Sequence, residues 1–122
     1  VRDAWEPPDR AVDARFAGFW LSHVPRARLG AFLGVARAWL RPGGTFAAID
    51  SLPDPSSGTV DRLPAPAPDL SRRRLADGRE FTIPKVLYAP DELAVALRAA
   101  AFRDVDVRAT GRFFLLVSGT AA

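Results

Sequence analysis

The only histidine of this chain, His23, stands in the run Trp20-Leu21-Ser22-His23-Val24-Pro25, directly after the apolar stretch Val12 to Phe19. Histidine ordinarily titrates near pH ~6.5, so it is the side chain best suited to move a proton close to neutrality. A second apolar stretch, Thr45 to Ile49, also ends in polar residues, Asp50 and Ser51. Between the two, Leu29, Phe32, Leu33, Ala36 and Leu40 recur at helical spacing, while Arg26, Arg28 and Arg37 fall on the other side. Strand, helix, strand in this order is one βαβ unit of a parallel sheet. Both strands then point the same way, and His23, Asp50 and Ser51 are expected at the crevice where such sheets gather ligands.

The flanking residues set the limits of these elements. Pro25 suits the first turn of a helix, where a missing N–H costs nothing. Pro42 prevents the helix from continuing, and Gly43 and Gly44 supply the left-handed turn after it. Val12 to Phe19 is apolar enough for a buried strand, with Gly18 allowing close approach to the backbone. Pro53 to Pro68 holds five prolines and reads as a long loop. Arg72, Arg73 and Arg74 sit beside it, solvated. Asp77-Gly78 is a turn, and Arg79 to Tyr88 an extended segment. Pro90, Asp91 and Glu92 open another helix, buried through Leu93, Ala96, Leu97 and Ala100. The segments 103–109 and 112–118 read as a terminal antiparallel hairpin, with Phe113 and Phe114 as packing. The predicted strands are therefore 12–19, 45–49, 103–109 and 112–118, with helices at 26–40 and 91–101. The fold class is α/β.

Composition bounds the chemistry. A chain of 122 residues, 48% hydrophobic and 25% charged, is ordinary for one globular domain. The formal charge is only +3, and the pI of about 10.5 reflects arginine in place of lysine. The arginines are spread along the chain, so no nucleic-acid partner is expected. No apolar run approaches the ~20 residues of a membrane span, and no membrane association is expected. The absence of cysteine leaves no thiolate metal site and is compatible with a cytoplasmic location. No metal is expected.

The wording of several segments resembles the C-terminal half of a Rossmann-like, class I S-adenosylmethionine-dependent methyltransferase. The segments are Phe19 to Pro25, Leu40-Arg41-Pro42-Gly43-Gly44, Arg79 to Tyr88, and Asp106 to Phe114, the last similar to a subgroup of small bacterial enzymes. The topology of parallel strands closed by an antiparallel hairpin agrees with how such sheets end. The resemblance implies S-adenosylmethionine as cofactor, a small-molecule methyl acceptor, and Phe19, Trp20, Leu21 and Ser22 flanking the cofactor. It places His23 near the acceptor as a general base, Asp50 and Ser51 on the same crevice, and Arg74, Lys85 and Tyr88 in the substrate-side cover. Aromatic faces such as Phe19 and Trp20 suit a sulfonium.

No Gly-x-Gly-x-x-Gly loop occurs in the sequence. Residues 1–122 are accordingly expected to be the C-terminal portion of one methyltransferase domain, its cofactor-binding half lying elsewhere and the piece by itself inactive. An expectation of a different class is a non-catalytic interaction module derived from a methyltransferase half. The sequence specifies neither the acceptor nor an oligomeric state.

Overall fold

The structure is a computed structural model and describes residues 2–53 and 62–122. The chain runs β1 (Val12–Gly18), α1 (Leu29–Trp39), β2 (Leu40–Ser51), β3 (Arg62–Leu63), β4 (Leu70–Arg74), β5 (Glu80–Pro84), α2 (Pro90–Ala99), β6 (Phe102–Ala109) and β7 (Phe114–Ala121). Two 3₁₀ turns, Leu21–His23 and Arg26–Arg28, lie between β1 and α1.

The main sheet has four strands in the order β1-β2-β7-β6. β1 and β2 are parallel, whereas β7 is antiparallel to both β2 and β6. This is the topology expected from the sequence. Along β2, Phe46, Ala48 and Asp50 turn inward, and on β7 Leu115, Val117 and Ala121 do the same. They meet Phe32, Leu33 and Ala36 of α1 and Leu93 and Leu97 of α2, so both helices cover one face. Period-two strands against period-3.6 helices make a two-layer core.

The opposite face is open. Phe16, Ala47, Ser118 and Asp106 lie in register across it, with Leu116 and Arg108 beside them, around a shallow depression of about 320 Å³. β1 is therefore not the buried strand that its composition suggests. Only Ala17 of it is buried, and Phe16 is 69% exposed. The apolar residues are there, but β1 is an edge strand and nothing among the described residues covers its outer face.

Two boundaries also shift. The helix expected over 26–40 is a 3₁₀ turn followed by α1, because Pro25 with ψ 146° caps the turn instead of entering the helix. β2 begins at Leu40, so Pro42-Gly43-Gly44 lies within the bounds of the strand and not after a helix cap. Gly43 has φ 84°, and a Cβ on Gly44 would come within 3.0 Å of the Asp13 carbonyl, so this kink demands glycine at both positions.

The larger correction lies beyond β2. The predicted long loop and the arginine run give way to a second, three-stranded antiparallel sheet, β3-β4-β5. Positions 54–61 of the predicted loop lie outside the described residues. Arg72, Arg73 and Arg74 are a strand, paired with Thr82, Phe81 and Glu80. A two-residue-period strand with one small inward residue, Ser71, and charges outward leaves little apolar signal in the sequence.

Candidate active site

β1 ends at the carboxyl edge of the main sheet, and Phe19 turns the chain there with φ 53°, in the left-handed region. A bulky residue held in that conformation marks a backbone constrained by its surroundings. The constraints are visible. The Phe19 N–H donates to the Ile49 carbonyl at 2.8 Å, tying the turn to β2. One residue after Ile49 stands Asp50, buried, with its Oδ2 accepting the Ser22 N–H at 2.8 Å and its Oδ1 the Ser51 N–H at 2.7 Å.

Ser22 is the hub of this junction. Its carbonyl accepts the Val86 N–H at 2.7 Å, and its hydroxyl accepts a hydrogen bond from Lys85 Nζ at 3.0 Å. Three segments far apart in sequence thus converge on one buried serine: the loop after β1, the end of β2, and the linker after β5. Burial excludes water from these bonds and makes each of them costly to lose.

His23 follows at once. Its Nδ1 lies 2.8 Å from the Pro84 carbonyl. A carbonyl only accepts, so Nδ1 carries the hydrogen, and in the neutral ring Nε2 keeps the lone pair. Tyr88 is buried, and its hydroxyl donates to the Val24 carbonyl at 2.5 Å. Burial pushes its phenol up to about 12, which keeps it a donor at any ordinary pH.

A cavity of about 750 Å³ opens beside the junction, between the end of β2, the start of β7 and the small sheet. Ser51 and Lys85 line it, as do Asp69, Ser71 and Arg73 from β4 and the residue before it. Phe113 and Phe114 form part of its apolar wall. They are therefore not simply packing residues, and Phe113 and Phe114 are 37% and 40% exposed.

The expected site residues are divided by this geometry. Ser22, Asp50, Ser51 and Lys85 come together. Leu21 is buried in the helix-side core and Tyr88 is used in holding Val24, so neither side chain faces the cavity. Arg74 turns away to the outer face of β4, where it bonds Glu80 at 2.7 Å. Arg73, one residue earlier, is the arginine of the run that lines the cavity. Strand alternation is the signal that separates them, once the segment is known to be a strand. Among the described residues Phe19, Trp20 and His23 border the junction without lining the cavity. Phe19 is half exposed and packs edge-on against Phe114, with ring centroids 5.8 Å apart. The Trp20 Nε1–H is buried and finds no acceptor among the described residues.

Among the described residues no cluster of acidic and histidine side chains could hold a metal, and no helix is long and apolar enough to cross a membrane.

No protein-family model matches the chain, and no curated protein does. Solved structures do match. Over 97% of its length the chain is 33% identical to DhpI in complex with SAH, with a TM-score of 0.74, and covers 52% of that protein. The complex of DhpI with SAM and HEP matches at 31% identity over 97% of the chain and 55% of that protein, with a TM-score of 0.76. A Burkholderia thailandensis 1,6-didemethyltoxoflavin-N1-methyltransferase, solved with 1,6-didemethyltoxoflavin and S-adenosylhomocysteine, shares the fold at 22% identity over 98% of the chain and 48% of that protein, with a TM-score of 0.59. The chain spans about half the length of these structures. In the part of those proteins that it spans, the chain has their fold, that of S-adenosylmethionine-dependent methyltransferases, which it resembles.

Proposed function

We propose that the chain forms the acceptor side of an S-adenosylmethionine-dependent methyltransferase that acts on a small molecule. The observation that carries this proposal is the junction at Ser22. It gathers the end of β1, the end of β2 and the β5–α2 linker at the carboxyl edge of the sheet, beside a cavity of small-molecule size. The 33% identity to a protein solved with SAH extends over the same segments.

When bound, the cofactor supplies an electrophilic methyl group on a sulfonium. The residues of this chain fit that end of it: the buried Trp20 indole N–H has a hydrogen bond to give, and the exposed Phe19 ring offers an aromatic face. They offer no glycine-rich cradle for the rest of the cofactor. Methyl transfer needs alignment of nucleophile and methyl more than it needs covalent help. The Asp50–Ser22–Lys85 bonds hold the loop that would do the aligning. His23, its Nδ1–H committed to Pro84, has Nε2 available to take a proton from a hydroxyl or amine acceptor.

The test uses the product of the whole reading frame that encodes this chain, titrated with S-adenosylmethionine and followed by tryptophan fluorescence. Saturable binding is expected, with a change in emission that disappears in Trp20→Phe. Absence of saturable binding would overturn the proposal and favour the interaction module, to which the open face at Phe16 and Leu116 is suited. For His23, methyl transfer is expected to fall by ~10²–10⁴-fold in both His23→Ala and His23→Asn, with cofactor affinity retained. Near-normal turnover in His23→Asn would remove the base role.

A further inference from the structure

Four exposed apolar side chains gather at one place. Phe113 and Phe114 where β7 begins, Leu70 on β4 and Leu87 after β5 each keep between 36% and 40% of their surface exposed, and all four line the cavity of about 750 Å³. Leu52, after β2, joins them in the wall. The backbone behind the two phenylalanines is fixed. The Leu52 N–H donates to the Phe113 carbonyl at 2.6 Å, and the Thr110 N–H to the Phe114 carbonyl at 2.9 Å. The Phe114 ring also meets Phe113 and Phe19, at centroid distances of 6.3 and 5.8 Å, so aromatic surface runs from the cavity to the turn after β1. The charged side chains among the described residues of the wall are already engaged within the protein. Arg26 bonds Asp69 at 2.8 Å, Lys85 Nζ donates to the Ser22 hydroxyl at 3.0 Å, and Arg73 has a partner of its own. Ser51 adds a neutral hydroxyl.

We infer that this cavity binds an uncharged small molecule built on an aromatic ring, the ring lying against Phe113 and Phe114 with Leu52, Leu70 and Leu87 around it. Release of water from these apolar surfaces drives such binding, and the size of the cavity falls within the ~300–1,000 Å³ of small-molecule sites. Phenylalanine rings favour an aromatic guest, because edge-on and offset contacts between rings add to the gain from area alone. A charged ligand would lose its hydration against this wall, where the ionic side chains already have partners. That the bound molecule is the methyl acceptor rests on the methyltransferase proposal, whereas the aromatic site itself rests on the cavity.

Calorimetric titration of the product of the whole reading frame at neutral pH tests this, with 2-naphthol, its saturated analogue decahydro-2-naphthol, and the anion 2-naphthoate. Naphthol is expected to bind, the anion to be weaker by about tenfold or more, and the saturated alcohol by about threefold or more. Phe114→Ala and Leu87→Asn, which alter the wall from separate segments, should each weaken naphthol by about tenfold. Phe81→Ala, on the small sheet but not in the cavity wall, should leave it unchanged. No binding of naphthol, equal or tighter binding of either analogue, or a Phe81→Ala effect as large as that of Phe114→Ala would overturn the site. Parallel titration with S-adenosylhomocysteine separates the two proposals. Naphthol binding without any affinity for S-adenosylhomocysteine supports the site and overturns the methyltransferase proposal. Affinity for S-adenosylhomocysteine without naphthol binding overturns the site alone.

Discussion

The two sheets are stabilised by different physics. In the main sheet, alternate residues of β2 and β7 enter a core closed by α1 and α2, with Phe46, Leu33 and Leu97 fully buried. Among the described residues of the small sheet Ser71 is the buried one, and Phe81 is 46% exposed. That sheet is held by polar ties: Arg72 and Arg74 to Glu80, Arg26 to Asp69, and the Lys85 N–H to the Asp69 carbonyl. A core resists change in volume, while a sheet tied by exposed ion pairs tolerates change in side chains. The cavity lies between the two, with a rigid wall from β2 and β7 and a more variable wall from β4. Under the proposed function, this division would keep the fold constant while the wall from β4 varies.

The contrast breaks most readily at Phe46. This residue is fully buried and packs on Phe102, with ring centroids 5.7 Å apart. Phe46→Ala should cost about 3–5 kcal/mol in urea unfolding. The same change at the exposed Phe81 should stay within about 0.5 kcal/mol. Comparable losses at the two positions would abolish the distinction between the sheets.

Tyr88 sharpens the contrast at alkaline pH, because it ties the β5–α2 linker to the loop after β1. Burial moves its phenol from 10.0 to about 12. A raised value favours the protonated form in the folded state, so the stabilisation is complete below pH about 10 and is lost as the pH rises towards about 12, an effect of roughly 2–3 kcal/mol. Tyr88→Phe should remove that alkaline phase from a pH series of unfolding midpoints.

Asp50 comes next. Asp50→Ala leaves the Ser22 and Ser51 N–H groups without their carboxylate and should cost roughly 1–3 kcal/mol. Asp50→Asn keeps one acceptor and should recover part of the loss. Glu80 gives the smallest effect. Hydrogen bonds from Arg74 and Arg72 hold its carboxyl below the usual carboxylate range. Their contribution is present above the ordinary glutamate value and is lost as pH falls through the lowered one. Amide protection of β4 and β5 should fall over that acidic range, and Glu80→Gln should remove the dependence while leaving β2 and β7 protected.

The main sheet was legible in the sequence because burial imposes periodicity. Leu29, Phe32, Leu33 and Ala36 mark the covered face of α1, and all four are buried. The parallel pair and the terminal antiparallel pair follow from the order of those elements. The small sheet was hidden for the converse reason: Arg72-Arg73-Arg74 alternates between a cavity and solvent, and three identical residues carry no period. Phe113 and Phe114 are apolar whether they pack or line a cavity, so composition alone cannot separate the two. For β1, an apolar strand on an open edge looks the same in sequence as a covered one. The order of the elements put Asp50 and Ser51 on the crevice at His23, whereas Ser22 and Lys85 were drawn to it only by the resemblance. The bonds that join them depend on the register of β5 and the turn at Phe19, which sequence spacing does not encode.

Under the proposed function the loop after β1, held by Asp50 and Ser22, faces the cofactor's methyl group. The direct measurement is magnetisation transfer, by NMR, from the S-methyl protons of bound S-adenosylmethionine to side chains of the whole gene product. Transfer is expected to the rings of Phe19 and Trp20, and to neither Phe81 on the small sheet nor Phe16 on the open face. Transfer to Phe16 or Phe81 with Phe19 and Trp20 silent would place the methyl group away from this loop and contradict the proposed function.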